Sequence, residues 1–419
     1  MNPIKLDTVG EIVRKHYDED IWQAVKVGIA VIASLSLKGR DNCVVLVYEG
    51  PSGAGKSITI RLVMPDREST QIFLLRIDDF TPASFVSHAA NRSEEDLAGI
   101  DLLPKLADKV MLTKELAPLF RDDEKELRQN FARLTSILDG NGYKTSSGTH
   151  GTRGYVGAYL FNWLGATTPI PDRTFRVMAQ LGNRILFYEI ASEEWSEDDL
   201  MDFAQNYGTT DAIGACQKAV NDFVDAHFAA YPVNSVDPSS IDISTEIMRE
   251  LIRYAKLIAS GRVEVNGADF GIAGEVEAGK PEGPQRVILL LQSIIRGLAL
   301  ADSRSAITAD DLTSIRHIAF SSIPRKRREL LRALLMAGGT MTSSEAAKAL
   351  GISRPTADNR MRELAATKIV VFTPGEQKSS TPAQIELAPD WRWLLDDTPS
   401  KQTEGVCAGD ANKEPTLPL

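Results

Sequence analysis

Cysteine is scarce in this chain. Cys43, Cys216 and Cys407 lie far apart among 419 residues and are odd in number. That tells against a disulfide framework and a cysteine-based metal site, and it fits a reducing, cytoplasmic setting. Histidine is equally thin: the five imidazoles are dispersed, so a zinc enzyme is not expected. No apolar run approaches the roughly 20 residues of a membrane span. The opening Met1-Asn2-Pro3-Ile4-Lys5-Leu6-Asp7 lacks the pattern of a signal peptide. Positive charge is also short overall, and a net charge of −10 argues against a wholly basic nucleic-acid binder. The remainder has the make-up of a globular protein long enough for two or three domains.

Against these absences stands one dense motif, Gly50-Pro51-Ser52-Gly53-Ala54-Gly55-Lys56-Ser57. It is a complete G-x-x-x-x-G-K-[ST] phosphate loop. Val44 to Tyr48 before it reads as a buried strand, and Ser57 to Val63 after it as the start of a helix. Glycines let backbone N–H groups turn inward on a triphosphate, and the helix N-terminus adds partial positive charge. Lys56 is expected to bridge the β- and γ-phosphates of ATP, and the Ser57 hydroxyl to hold Mg²⁺.

The pattern around the motif predicts an α/β domain with a parallel sheet in three layers. Helix is expected over residues 8–36. Further strands are expected at Ile72–Ile77, Lys109–Thr113, Leu160–Thr168 and Ile185–Ile190, with an amphipathic helix over Asp123–Leu138. Residues 139–155 are rich in Gly, Ser and Thr and suit an exposed hairpin, with Lys144, His150 and Arg153 among them. Beyond residue 192 the strand signal gives way to helices at 196–231, 244–260, 285–301 and 311–321. Residues 263–284 read as loop, and 396–419 have the composition of a disordered tail.

Hydrolysis needs a carboxylate near the phosphates. Glu115 follows the apolar strand Val110-Met111-Leu112-Thr113 and is the candidate catalytic glutamate. Lys114 stands where a magnesium-associated aspartate is usual. Asp79, beside Asp78 at the end of another strand, is the candidate carboxylate for the metal shell. A helix cap or turn is the alternative reading of that pair.

The order of these motifs resembles AAA+ ATPases, within them the helicase-type branch that includes the minichromosome-maintenance helicases, and several plasmid and phage replication proteins look similar. The resemblance runs from about residue 40 to the end. It implies that the strand Phe161 to Thr168 carries sensor 1, with Thr167 or Thr168 holding the lytic water. It implies an arginine finger at Arg184, reaching the next subunit's γ-phosphate. A sensor-2 arginine would open the lid helix, at Arg286 or alternatively at Arg296. The hairpin 140–155 would touch DNA.

The C-terminal part changes sign. From Arg325 to Lys368 ten basic residues face four acidic ones, a balance of +6 inside an acidic chain. That is the electrostatic footprint of DNA binding. A helix at 328–336, a second at 345–350 capped by Ser343 or Ser344, the turn Gly351-Ile352-Ser353 and a third helix at 354–367 give a helix-turn-helix. Strands at 369–372 and 384–387 would add a wing bearing Lys378. Arg354, Thr356, Asn359, Arg360 and Arg362 would face a major groove. A protein-docking winged helix is the alternative.

The expected organisation is an N-terminal helical segment (1–40), an AAA+ core (41–192), a helical lid (193–324), a winged helix-turn-helix (325–395) and the tail (396–419). The expected function is an ATP- and Mg²⁺-dependent motor on DNA, a helicase or replication-initiation ATPase of a mobile element. It would work as a ring-like homo-oligomer, a hexamer, away from membranes. The alternatives are a nucleotide-switched DNA-binding regulator and a defence-system ATPase.

Overall fold

Five short apolar runs set the architecture. In the computed structural model they form one sheet, β2 (Leu74–Arg76), β3 (Val110–Thr113), β6 (Asn162–Thr167), β1 (Val45–Glu49) and β7 (Ile185–Glu189), side by side in that order. All four neighbouring pairs are parallel. The structure describes residues 5–87, 93–121, 123–147, 151–182, 184–191, 196–198, 201, 204, 211–266, 277–375 and 382–396. Every residue of β1, β3 and β6 is buried, which is why these strands read as continuous apolar runs rather than alternating ones.

Helices cover both faces. On one side Val45, Val47, Trp163 and Phe187 pack with Phe131 and Leu134 of α8 (Glu124–Leu138) and Phe175 of α9 (Asp172–Leu181). Trp163 is fully buried and donates its indole N–H to Thr113 Oγ1 at 3.1 Å. Cutting it to alanine would cost about 3–5 kcal/mol. On the other side lies α2 (Glu19–Ala33), whose Ala24 carbonyl accepts the Tyr48 hydroxyl at 2.9 Å.

The expected single helix over 8–36 is two: α1 (Leu6–Arg14) and α2. The break falls where Asp18 takes extended backbone and caps α2 by accepting the Ile21 N–H at 2.7 Å. Buried Asn162 then ties α2 to the sheet, donating to the Val31 carbonyl at 2.7 Å and accepting the Val44 N–H at 3.2 Å.

Between β1 and β3 run α3 (Lys56–Leu62), α4 (Glu68–Gln71), α5 (Glu94–Ile100) and α6 (Leu102–Leu106). After β3 comes α7 (Ala117–Arg121), then α8. A two-stranded antiparallel hairpin, β4 (Gly142–Ser147) and β5 (Gly151–Val156), precedes β6. Its tip, with His150, lies outside the described residues.

Beyond β7 come α10 (Ala212–Ala230), α11 (Thr245–Gly261), the short strands β8 (Val265–Asn266) and β9 (Glu277–Ala278), α12 (Gln285–Ala301) and α13 (Asp311–Ser321). Part of the expected loop 263–284 is thus paired strand. Helix α12 meets α2 closely enough that a Cβ on Gly297 would fall 2.1 Å from the Ala30 carbonyl oxygen.

The chain forms two compact units, one drawn from residues 1–264 and 278–325, the other from 265–277 and 326–419. The second carries α14 (Arg325–Met336), α15 (Ser343–Leu350), α16 (Arg354–Ala366) and an antiparallel sheet in the order β10 (Thr340–Thr342), β12 (Gln384–Leu387), β11 (Val370–Thr373). Thr342, not Ser343 or Ser344, caps α15. Its backbone N–H donates to Glu345 at 2.8 Å, and its hydroxyl accepts the Glu345 N–H at 3.3 Å. Gly351, at φ 63°, ends the helix in the left-handed region. Lys378 and residues 397–419 lie outside the described residues.

Candidate nucleotide site and basic module

Strand β1 ends at Glu49, and the chain turns sharply through Gly50 to Gly55 before α3 begins at Lys56. The glycines are needed for two different reasons. A Cβ at Gly50 would lie 2.6 Å from the Ile190 carbonyl oxygen, so close approach of the chain demands its absence. Gly53 and Gly55 take φ of 91° and 83°, a region L side chains rarely adopt. The N-terminal end of α2 leans over this turn, with Ile21 Cδ1 only 2.4 Å from where a Gly55 Cβ would sit. Lys56 is buried, and its ammonium donates to the Pro51 carbonyl at 3.0 Å. Ala54 is buried, whereas Pro51, Ser52, Gly53 and Ser57 are exposed. The result is a tight, glycine-built cradle with one cation folded against it and a hydroxyl beside it. Such a donor set fits a polyphosphate with its divalent cation.

The strand order arranges the other candidates around this turn. Thr167 pairs in register with Glu49 on the adjacent strand. It is fully buried, and its hydroxyl donates to the Thr168 carbonyl at 3.0 Å. Glu115 follows β3, two strands from β1, or about 10 Å at ordinary strand spacing. Its carboxylate accepts the Ala117 N–H at 2.8 Å and so caps α7. Asp79 follows the edge strand β2, three strands and about 14 Å away, and is exposed. Its neighbour Asp78 pairs with Arg76 at 2.5 Å. That hydrogen bond holds the Asp78 carboxyl below the ordinary carboxylate range, with a smaller contribution from Lys114. Among the described residues no cluster of histidine, cysteine and carboxylate side chains could hold a metal ion alone.

Sequence reading missed Glu49. It is 2% exposed, lies beside Thr167 and Glu189 in register, and accepts the Ile170 N–H at 3.0 Å. It thereby fixes the turn after β6 against the root of the phosphate loop. Arg262, fully buried over the Phe187 ring, donates to the Ser322 carbonyl. Burial pushes its guanidinium down to about 9, and Glu282 and Glu49 pull the other way. The only sequence signal for Glu49 was a charged residue ending an apolar strand.

The arginines lie at the opposite end of the sheet. Arg184 precedes Ile185, which pairs with Val45 at the start of β1. Five strand residues, or about 16 Å, separate it from the phosphate loop. Its exposure is 8%, and it grips Asp139 with two bonds of 2.8 and 3.0 Å. A third donation goes to the Leu181 carbonyl at 3.0 Å. The resemblance implies a finger that reaches the next subunit's γ-phosphate; within its own chain this arginine is paired with Asp139. Arg286 joins the same cluster, 2.7 Å from Glu282 and 3.8 Å from Asp139. Gly182, at φ 90°, leaves room for both, since a Cβ there would come within 2.8 Å of Arg184 and 3.4 Å of Arg286. Arg296 is half-buried within α12 and donates to Gln292 at 3.0 Å. Burial lowers its pKa.

On the hairpin, Lys144 is exposed. Arg153 is not available as the sequence suggested. It donates to buried Asp101 at 2.8 Å with its side chain 11% exposed.

In the second unit the basic residues divide in two. Arg327 and Arg328 are buried, and Arg327 pairs with Glu363 at 2.8 Å. Arg360 pairs with Glu329 at 3.3 Å. Arg354, Thr356 and Asn359 are exposed on α16. Arg354 donates to Ser343 at 3.2 Å, and Thr356 bonds to Ser353. Arg362 lies over the Phe372 ring at 4.5 Å. The balance of +6 therefore overstates the charge this unit shows to solvent.

Residues 325–371 match the family model described as a helix-turn-helix domain. That match covers α14 to the start of β11. No curated protein matches the chain. Among solved structures the chain is similar to a "putative ATPase" from Cytophaga hutchinsonii, with a TM-score of 0.35 and 11% identity, over 76% of this chain and 88% of that one. A likeness of that size adds nothing to the geometry. Among the described residues no helix is long and apolar enough to cross a membrane.

Proposed function

We propose that this chain is an ATP-binding and hydrolysing motor of the AAA+ class that acts on DNA, a helicase or replication-initiation ATPase of a mobile element working in the cytoplasm. The observation that carries this reading is the phosphate loop itself. It is complete in sequence, built on a buried parallel strand, turned at positive φ by Gly53 and Gly55, and closed by a buried lysine. The strand order β2-β3-β6-β1-β7 and the hairpin before β6 support the class.

In this reading Mg²⁺-ATP supplies the reactive anhydride and a divalent counter-charge. Gly50 to Gly55 would bind the phosphates through backbone N–H groups, Lys56 would neutralise them, and Ser57 would belong to the metal shell; Asp79, about 14 Å away across the sheet, would not reach it directly. Glu115 would orient the attacking water, giving up its bond to the Ala117 N–H. Thr167 would turn its hydroxyl from the Thr168 carbonyl toward that water. Arg184 and Arg286 lie too far from their own phosphate loop for a side chain to span. Their position supports service to the site of a neighbouring copy, in a ring-like homo-oligomer such as a hexamer. The helix-turn-helix with its three-stranded sheet would act as a winged helix, with Arg354, Thr356 and Asn359 toward the groove. Arg360 would join them only by leaving Glu329.

One observation favours a second reading. Glu115 is committed to capping α7, and Lys114 stands at the strand end where an aspartate would serve a metal. A nucleotide-switched DNA-binding regulator with slow hydrolysis would need neither group free. ATP turnover measured with and without single- and double-stranded DNA decides between them. The motor reading expects turnover that rises with DNA. Tight ATP binding with no turnover under any DNA condition would select the regulator.

A further inference from the structure

The hairpin β4–β5 is tied to the body of its unit by one carboxylate. Asp101 stands between α5 and α6 and is fully buried. Its Oδ1 accepts the Ser87 N–H at 2.8 Å. Its Oδ2 accepts Arg153 at 2.8 Å and the Tyr155 hydroxyl at 2.7 Å. Both of these donors are on β5, and they are 52 and 54 residues away in sequence. Arg153 Nη1 is also buried and finds no hydrogen-bond partner among the described residues. The guanidinium therefore depends on Asp101 for its charge balance. On β4, Lys144 stays exposed and pairs in register with Gly154, next to Arg153. From Asp101 the chain runs through α6, whose Leu103 and Leu106 enter the core, directly into β3 and on to Glu115.

We propose that Asp101 is a positioning residue that couples β3, on the nucleotide side, to the hairpin on the DNA side. This rests on the reading of the hairpin as a DNA contact. A buried carboxylate gripping two donors of one strand fixes where that strand lies. A shift of α6 with β3 is then passed to β5, and through the hairpin pairing to Lys144. A buried cation left without its carboxylate is unfavourable enough to displace the strand rather than stay in place. Arg153 and Tyr155 thus act on DNA only through the position they give the hairpin.

The test is the full chain with Asp101→Asn, read by hydrogen exchange over residues 142–156 and by ATP turnover with and without DNA. Exchange in the hairpin should speed up about tenfold or more, while exchange around the phosphate loop stays unchanged. Basal turnover should hold within about twofold, and DNA stimulation should fall about tenfold. A merely structural role would lower basal and stimulated turnover together. Adding Arg153→Gln to Asp101→Asn removes the unpaired charge and should restore much of the stimulation. Tyr155→Phe, which removes one donor and is safe for folding, should give a smaller loss in the same direction. Wild-type stimulation that survives intact in both Asp101→Asn and Tyr155→Phe would overturn the coupling and leave the DNA reading standing. A wild-type chain that DNA does not stimulate at all would overturn both.

Discussion

The two ends of the parallel sheet solve opposite problems. At the carboxyl end, the phosphate loop is built from backbone, with Lys56 folded onto the Pro51 carbonyl and Ser57 exposed. At the amino end, Arg184 and Arg286 crowd around Asp139 and Glu282, and both guanidiniums are paired. In the proposed reading one end gathers donors for an incoming anion; the other holds cations already paired inside the chain. An arginine's position and its availability are therefore separate questions. Position follows from the strand register, whereas availability depends on whether a competing anion can replace Asp139.

The largest expected effect lies at the carboxyl end. Glu115→Gln should lower turnover by about 100-fold or more while leaving ATP affinity nearly unchanged, because an amide cannot take a proton from water. The glutamine can still accept the Ala117 N–H, so stability should hold. Steady-state turnover beside an ATP titration checks this. Unchanged turnover would move the catalytic role away from β3.

A buried histidine calibrates stability. His227 is buried among Phe223, Phe228 and Tyr231, with its Nε2 3.2 Å from Ser36 Oγ. Burial pushes its pKa from the ordinary 6.5 down to about 4. The folded state thus favours the neutral ring. The stability this contributes is complete above about pH 6.5 and is lost as pH falls toward 4, at most about 3 kcal/mol. Thermal unfolding between pH 7 and 4 should show the decline, and His227→Gln should flatten it.

At the amino end, Arg184→Ala leaves Asp139 facing Arg286 alone. A loss of about 2 kcal/mol in stability is expected, below the range for a fully buried pair because Asp139 is partly exposed. Turnover should fall as well. Mixing this variant with Lys56→Ala protein should restore part of the turnover if each defective interface can meet an intact one. Failure at every ratio would confine Arg184 to its bond with Asp139.

The smallest effects separate the exposed from the buried half of the basic module. Arg354→Ala should weaken DNA binding and lower the log–log salt slope by about one. Arg327→Ala, which breaks the pair with Glu363, should destabilise its own unit and leave that slope unchanged once folded. Affinity at several salt concentrations distinguishes them.

The sequence made legible what is local. The phosphate loop, the hairpin between Gly142 and Val156, and the helix-turn-helix each carry their cause within a few residues: a glycine needing positive φ, a cap, or an apolar period. What stayed hidden was pairing across the fold. Arg184 meets Asp139 from 45 residues away, Arg153 meets Asp101 from 52, and Arg327 meets Glu363 from 36. Neither a family resemblance nor a count of charges can see these partners: the resemblance of the hairpin put Arg153 toward DNA, and the count overstated the basic surface near Arg327. Glu49 escaped for a related reason: its role comes from the neighbouring strand's turn at Ile170, set by tertiary register.

Gly50 to Ser57 are proposed to bind a nucleoside triphosphate. Titration of Mg²⁺-ATP into the full chain and into Lys56→Ala, followed by calorimetry, tests it most directly. Saturable binding in the wild type, weakened about tenfold or more by the substitution, is the predicted result. Equal affinity in the two proteins, or no binding in either, would contradict it.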